Sequence, residues 1–182
     1  MRALLHRPFR PLSTSPGLPA LSHDGLMENP RHQPSRYAVP VRVHVLLRRA
    51  DDLLFTRRAP RLPGGGCWQL PGGHLEPGET VLGAAAREAW EEVGVRVPLT
   101  ALQLVHLVHD HIPGRGARLA LFFEATRWEG EPANREPELC TDLRWAPADA
   151  GSAPTPMVGY IAAALRDRGH PSGVTADGWN GL

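Results

Sequence analysis

Residues 80–94 constrain this chain more than any other stretch. Pro77-Gly78 makes a turn, Thr80 stands where an N-cap belongs, and Gly94 lies where a left-handed C-cap closes a helix. At about 100° per residue, Val81, Leu82, Ala85, Ala86, Ala89 and Val93 gather on one side, which predicts an amphipathic helix over 80–93. A helix with one apolar face has to bury it against a partner, and the flanking text supplies strands. Val39, Val41, Val43, Val45 and Leu47 alternate along the chain, Asp51-Asp52 marks a turn, and Leu53 to Thr56 returns as the second arm of a hairpin. Cys67 to Leu70, Leu102 to His109, Arg118 to Ala125 and Leu143 to Trp145 read as further extended pieces. The turn Pro113 to Gly116 joins two of them. A second helix is expected over Met157 to Arg168. Strands with one helix among them and one at the end predict an α/β chain, a mixed sheet covered by helices.

The ends read differently. The first forty residues hold seven prolines and no sustained periodicity, so 1–37 is expected to be a disordered Pro/Arg-rich leader. An Arg-rich transit peptide, or translation from Met27, are the alternatives there; Arg7, Pro8, Arg10 and Pro11 interrupt what a secretory signal would need. The domain is expected over 38–169, and the Gly-rich segment 170–182 is expected to be a flexible tail.

Composition narrows the chemistry. All 20 basic residues are arginine, which excludes Schiff-base lysines and a phosphate loop ending in Gly-Lys-Ser/Thr. The net charge is +1, and beyond residue 40 no arginine-dense stripe forms, so no nucleic-acid partner is expected. No apolar run approaches the roughly 20 residues of a membrane span, so no membrane partner is expected either. Two cysteines, Cys67 and Cys140, fit no metal spacing and suit a reduced, cytoplasmic protein.

The acids on the helix carry the sharpest signal. Glu88, Glu91 and Glu92 share one flank, and like charges three and four residues apart destabilise a helix by about 0.2–0.5 kcal/mol per pair. A divalent cation would reverse that repulsion, and oxygen ligands without histidine or thiolate suit Mg²⁺, with Mn²⁺ as a substitute. The frame around them resembles the signature of the Nudix hydrolases, G-x5-E-x7-R-E-U-x-E-E-x-G-U, where U is a bulky aliphatic residue. Gly73, Glu79, Arg87, Glu88, Glu91, Glu92 and Gly94 supply every fixed position, Val95 fills the last U, and Ala89 is smaller than the usual residue there. Phe55-Thr56-Arg57-Arg58, Trp68 to Gly73, Trp128 to Pro132 and Glu136 look like the mutator-type nucleoside triphosphate pyrophosphohydrolases of that family.

The resemblance implies a Nudix-fold α/β/α sandwich and a metal-activated water that hydrolyses a nucleoside diphosphate linked to another group. The most favoured substrate is a nucleoside triphosphate, cut to monophosphate and pyrophosphate; ADP-ribose or a nucleotide sugar is the enzymatic alternative. By position it implies Gly73, Glu88, Glu91, Glu92 and Glu136 at the metal, with Arg87 orienting the glutamates and Glu79 supporting loop and helix. Glu88, Glu91, Arg87 and Glu136 are the catalytic set, with Glu138 competing for the place of Glu136. Arg58 and Gly72 are expected on the substrate. A small-molecule nucleotide partner and a monomer or homodimer follow.

The departures from the family are equally specific. The enzymes that read an oxidised guanine use an asparagine after the last strand; this chain has Thr155 there and asparagine only at 29, 134 and 180, which argues against that specificity. His111 stands where ADP-ribose enzymes tend to show proline, and the tyrosine of dinucleoside polyphosphate enzymes is missing. His109 and His111 share one strand face, a pocket edge more than a zinc site. Trp68, Phe122, Phe123 and Trp128 read mostly as core aromatics. A nucleotide-sensing module without turnover is the non-enzymatic alternative, and the intact Glu88, Glu91 and Glu92 argue against it.

Overall fold

The computed structural model describes residues 37–149 and 151–179. The expected leader therefore lies, except for Tyr37, outside the described residues. Eight strands and two helices follow in order: β1 Val41–Arg49, β2 Asp52–Arg58, β3 Trp68–Gln69, β4 Gly72–His74, α1 Val81–Val93, β5 Leu102–Ile112, β6 Gly116–Ala125, β7 Cys140–Pro147, α2 Gly159–Arg166 and β8 Val174–Asp177.

The predicted hairpin forms, but only at its tip. β1 and β2 pair at Arg48 with Leu53 and Arg49 with Asp52, around a two-residue loop of Ala50 and Asp51. Ala50 takes a left-handed backbone (φ 52°), a conformation that tight hairpin loops demand and that alanine adopts at a cost. Beyond the tip the strands diverge. β1 runs parallel to β6 from Val41–Leu119 to Leu47–Ala125 and antiparallel to β4 on its other edge. β2 carries β3 and β7 instead. On the far side of β6 come β5, antiparallel, and β8, parallel to β5.

Alternation along the diverging strands builds two cores. Val43, Val45 and Leu47 of β1, Leu54 of β2 and Phe123 of β6 pack with Ala84, Ala85, Ala89 and Val93 of α1. Leu46, Leu53, Phe55, Phe122 and Ala120 face the other way, onto Tyr160, Ile161 and Ala164 of α2. Each helix covers one face, so the α/β/α sandwich holds. Trp68, Phe122 and Phe123 are core residues, 1–3% exposed, and Trp128 packs at the edge of the α1 core. On α1 the innermost residues include Ala84, while Val81, Leu82 and Ala86 sit partly buried at its margin, a small rotation from the expected face.

The caps of α1 fall where expected. Thr80 Oγ1 accepts the Gly83 N–H at 3.0 Å, and Gly94 (φ 74°) donates to Trp90 O at 3.0 Å. α2 is shorter than expected. Trp68 donates to Pro156 O (2.8 Å) and Val158 to Trp68 O (2.9 Å), so the backbone before Gly159 is committed to β3 and the helix begins after it.

The expected flexible tail needs correction over Val174–Asp177. These residues pair with Leu107–Asp110 as β8, Thr175 bonds His106, and the Trp179 indole donates to His109 O at 2.8 Å between the His109 and His111 rings. No helix of the described residues is long and apolar enough to cross a membrane.

Candidate active site

Strand β4 brings the Pro-Gly-Gly lead-in against α1, and a side chain at either glycine would meet a close neighbour. A Cβ on Gly72 (φ 148°) would lie 2.1 Å from the Val43 carbonyl oxygen, and one on Gly73 would lie 2.2 Å from Glu88 Oε1. The Glu88 carboxylate thus occupies the space that any larger residue at 73 would fill.

Arg87 is the hub of the acidic cluster. Its guanidinium donates to Glu79 at both carboxylate oxygens (2.8 and 3.1 Å), to Glu88 (2.9 Å), to Glu91 (2.9 Å) and to the His74 carbonyl (3.0 Å). Glu79 also accepts the Glu76 N–H at 2.7 Å, which ties the loop ahead of the helix to the same arginine. The repulsion expected between the helix acids is therefore partly relieved by Arg87 within the protein. These ion pairs hold Arg87 firmly in its charged form, Glu79 contributing most.

Glu92 lies outside that clasp. It accepts the Gly72 N–H at 3.1 Å and is otherwise desolvated, and burial pushes its pKa up to about 8, with Glu88 and Glu136 adding to the rise. Burial also raises Glu88, against the pull of Arg87. Gly72, expected on the substrate, lines the same cleft, and its amide is donated to Glu92.

Glu136 arrives on the loop after Trp128, docked to the end of α1 by Ala133 N–H to Val93 O and Arg135 N–H to Glu92 O, each at 3.0 Å. Asn134 shapes that loop, its side chain accepting from Glu136 N (3.1 Å) and donating to Cys140 O (2.7 Å). Glu136 is half-buried and lines the cleft, whereas Glu138 is exposed. Burial, then Glu138 and Glu91, raise the pKa of Glu136. Arg58 faces the acids from β2, fixed by its Nε to Pro63 O (2.9 Å) and its Nη1 to Gln69 Oε1 (2.8 Å). Glu88, Glu91, Glu92, Glu136, Arg87, Arg58, Gly72 and Gly73 all line one cleft of about 410 Å³.

Several residues of this cleft escape sequence reading. Arg42 and Gln69 look like ordinary strand residues and Cys140 like a strand-end residue, and Asn134, which shapes the Glu136 loop, looks like any loop residue; only long-range pairing gives them their place. Arg42 had one legible mark, a charge set between the valines of β1.

Among the described residues no three acidic, histidine or cysteine side chains close into a ligand set, and Arg87 is paired with Glu88 and Glu91. The donor chemistry nonetheless fits a hard divalent cation. Burial raises the pKa of Glu88, Glu92 and Glu136, and neighbouring carboxylates add to it (Glu91 and Glu136 at Glu88, Glu88 and Glu136 at Glu92, Glu138 and Glu91 at Glu136), a repulsion that a bound cation would relieve. The paired histidines 109 and 111 contribute to no such set and flank Trp179 instead.

A mixed sheet between two helices, with a glutamate-lined cleft at the end of one helix, defines a hydrolase of the Nudix type. The NUDIX domain family model matches residues 38–166, and the chain belongs to that family; it is a Nudix pyrophosphohydrolase. The 8-oxo-dGTP diphosphatase of Proteus vulgaris is 34% identical over 87 residues, covering 48% of this chain and 75% of the relative. A MutT-like protein of Streptomyces ambofaciens is 45% identical over 62 residues, 34% of this chain, which spans only 38% of that relative. The crystal structure of a MutT NUDIX hydrolase from Burkholderia pseudomallei superposes with a TM-score of 0.65 at 27% identity, over 71% of this chain and 98% of that one.

Proposed function

We propose that the cleft hydrolyses a nucleoside triphosphate to its monophosphate and pyrophosphate with the help of Mg²⁺, or of Mn²⁺ in its place. The observation that carries this reading is the convergence of Glu88, Glu91, Glu92 and Glu136 on one cleft beside Gly73, with Arg58 facing them. Glu88, Glu91, Glu92, Glu136 and the Gly73 carbonyl would hold the cation. When bound, such an ion lowers the pKa of water and neutralises charge on phosphoryl oxygens.

The chain's own groups do the rest. Arg87 fixes the rotamers of Glu79, Glu88 and Glu91, and orientation of this kind is a large part of any phosphoryl-transfer rate. Glu136 takes the proton of the attacking water at its carboxylate. Arg58 keeps guanidinium N–H groups for phosphate oxygens.

Selectivity for an oxidised guanine, named for the Proteus relative, is not part of the proposal. Asn134 is engaged with Glu136 and Cys140, and Thr155 stands where a base-reading asparagine would be needed. The two free cysteines, Cys67 and Cys140, support a cytoplasmic enzyme, with a small nucleotide as its partner.

The test is a turnover screen of nucleoside triphosphates, ADP-ribose and dinucleoside polyphosphates with Mg²⁺, with Mn²⁺ and with chelator. Metal-dependent release of monophosphate from triphosphates supports the proposal. Turnover of ADP-ribose alone, or of nothing, overturns it.

A further inference from the structure

A second compartment of about 400 Å³ adjoins the cleft, and Arg42, Arg58, Gln69 and His74 line both. The two carry opposite charge. Five glutamates line the first, whereas no carboxylate lines the second, where Arg115 and Arg118 join Arg42 and Arg58.

These arginines are not equivalent. Arg118 is held by Asp110 behind it (Nε at 2.6 Å) and lies over the Tyr160 ring at 4.2 Å, so its charge is largely balanced. Arg42 and Arg115 have no acidic partner among the described residues. Arg42 Nε is buried without a hydrogen-bond acceptor, an omission that costs free energy until something supplies one. The Tyr160 hydroxyl at the floor is occupied with His44 at 2.9 Å. Burial raises the pKa of that hydroxyl, and the fields of Arg42, Arg118 and Arg58 pull against the rise, so all three guanidinium groups act on this one space. A neutral base calls for an apolar slot with a few directed polar groups, whereas several guanidinium forks without a carboxylate suit phosphate.

We infer that the second compartment binds an anionic group of the substrate remote from the bond that is cut. The preferred substrate is then a nucleotide with a phosphate beyond the hydrolysed chain, on its sugar or as part of a second nucleotide. This deepens the proposed hydrolysis and rests on it for the chemistry. It names Arg42 and Arg115 as specificity residues, with Arg115 on the exposed hairpin turn between β5 and β6.

The experiment compares kcat/KM, with Mg²⁺, for ATP and GTP, their 3′-phosphate derivatives and the corresponding dinucleoside tetraphosphates. Wild type and Arg115→Gln are run side by side. Charge-assisted contacts of this kind predict a wild-type preference of about tenfold or more for a substrate with the added phosphate, reduced about tenfold in Arg115→Gln. A preference for the 3′-phosphates assigns the site to a sugar phosphate, and a preference for the tetraphosphates assigns it to a second nucleotide. Equal turnover of the plain triphosphates and every derivative overturns the inference, as does an equal loss on all substrates in Arg115→Gln. If no substrate turns over, the hydrolytic proposal fails, and calorimetry then decides the compartment. Tighter binding of adenosine 3′,5′-bisphosphate than of AMP, lost in Arg115→Gln, upholds it; equal binding refutes it.

Discussion

Replacing Glu92 by glutamine separates what this residue does for stability from what it does for catalysis. In the metal-free protein its folded pKa of about 8 lies above the ordinary value of 4.5. Between those values the folded state holds a proton that the unfolded state has released, so metal-free stability falls as pH rises through this window. At pH 7 the linkage amounts to about 3 kcal/mol, an order-of-magnitude figure for a partly buried carboxyl. Glutamine keeps the shape and never ionises. Urea unfolding in chelator at pH 5, 6, 7 and 8 should therefore show Glu92→Gln growing more stable relative to wild type as pH rises. The comparison has to be a difference, because His44 acts in the opposite sense. Its buried imidazole has a pKa lowered to about 3 from 6.5, so it destabilises the fold as pH falls from 6.5 towards 3 in both proteins. Mg²⁺ should stabilise wild type and do much less for the variant, since ligand binding to the native state adds stability by mass action. Turnover of Glu92→Gln should nonetheless fall by orders of magnitude. A pH-independent difference, or near-normal turnover at limiting Mg²⁺, would refute the reasoning.

Glu136→Gln should lower kcat by about 10²–10⁴-fold with little change in KM, the pattern of lost general-base assistance, while Glu138→Gln does much less; steady-state kinetics of the pair checks this. Gly73→Ala should unfold at nearly the wild-type urea midpoint, because the atom it meets is the movable end of Glu88, yet displacing that carboxylate should cost about 10²-fold in kcat. Ala50→Gly should raise stability by about 0.5–1 kcal/mol in thermal unfolding, relieving the left-handed backbone of the hairpin loop.

The contiguous parts of this molecule were legible and the assembled parts were not. Helix α1, with Thr80 and Gly94 as its caps, lies within fifteen residues, and local hydrogen bonds decide it. The acidic set followed because three of its members sit on that helix, and Glu136 followed only by resemblance. The strands were visible through alternation, but their partners were not. Nothing local shows that β1 leaves β2 after two pairs to join β6, since that choice is made by two cores forming on opposite faces. β8 was missed for the same reason: its order comes from β5, His106 and Trp179 rather than from its own four residues. Arg42, Gln69 and Asn134 gain their meaning from neighbours distant in sequence, and so does the Gly72 amide, which donates to Glu92.

The central claim, pyrophosphate hydrolysis by the glutamate-lined cleft, is tested most directly by following a nucleoside triphosphate with ³¹P NMR while Mg²⁺ is titrated into the metal-free enzyme. The cleft described here predicts monophosphate and pyrophosphate appearing together, at a rate that climbs with Mg²⁺ and is abolished in Glu92→Gln. Diphosphate and orthophosphate as products, or a rate indifferent to Mg²⁺ and to Glu92, would contradict it.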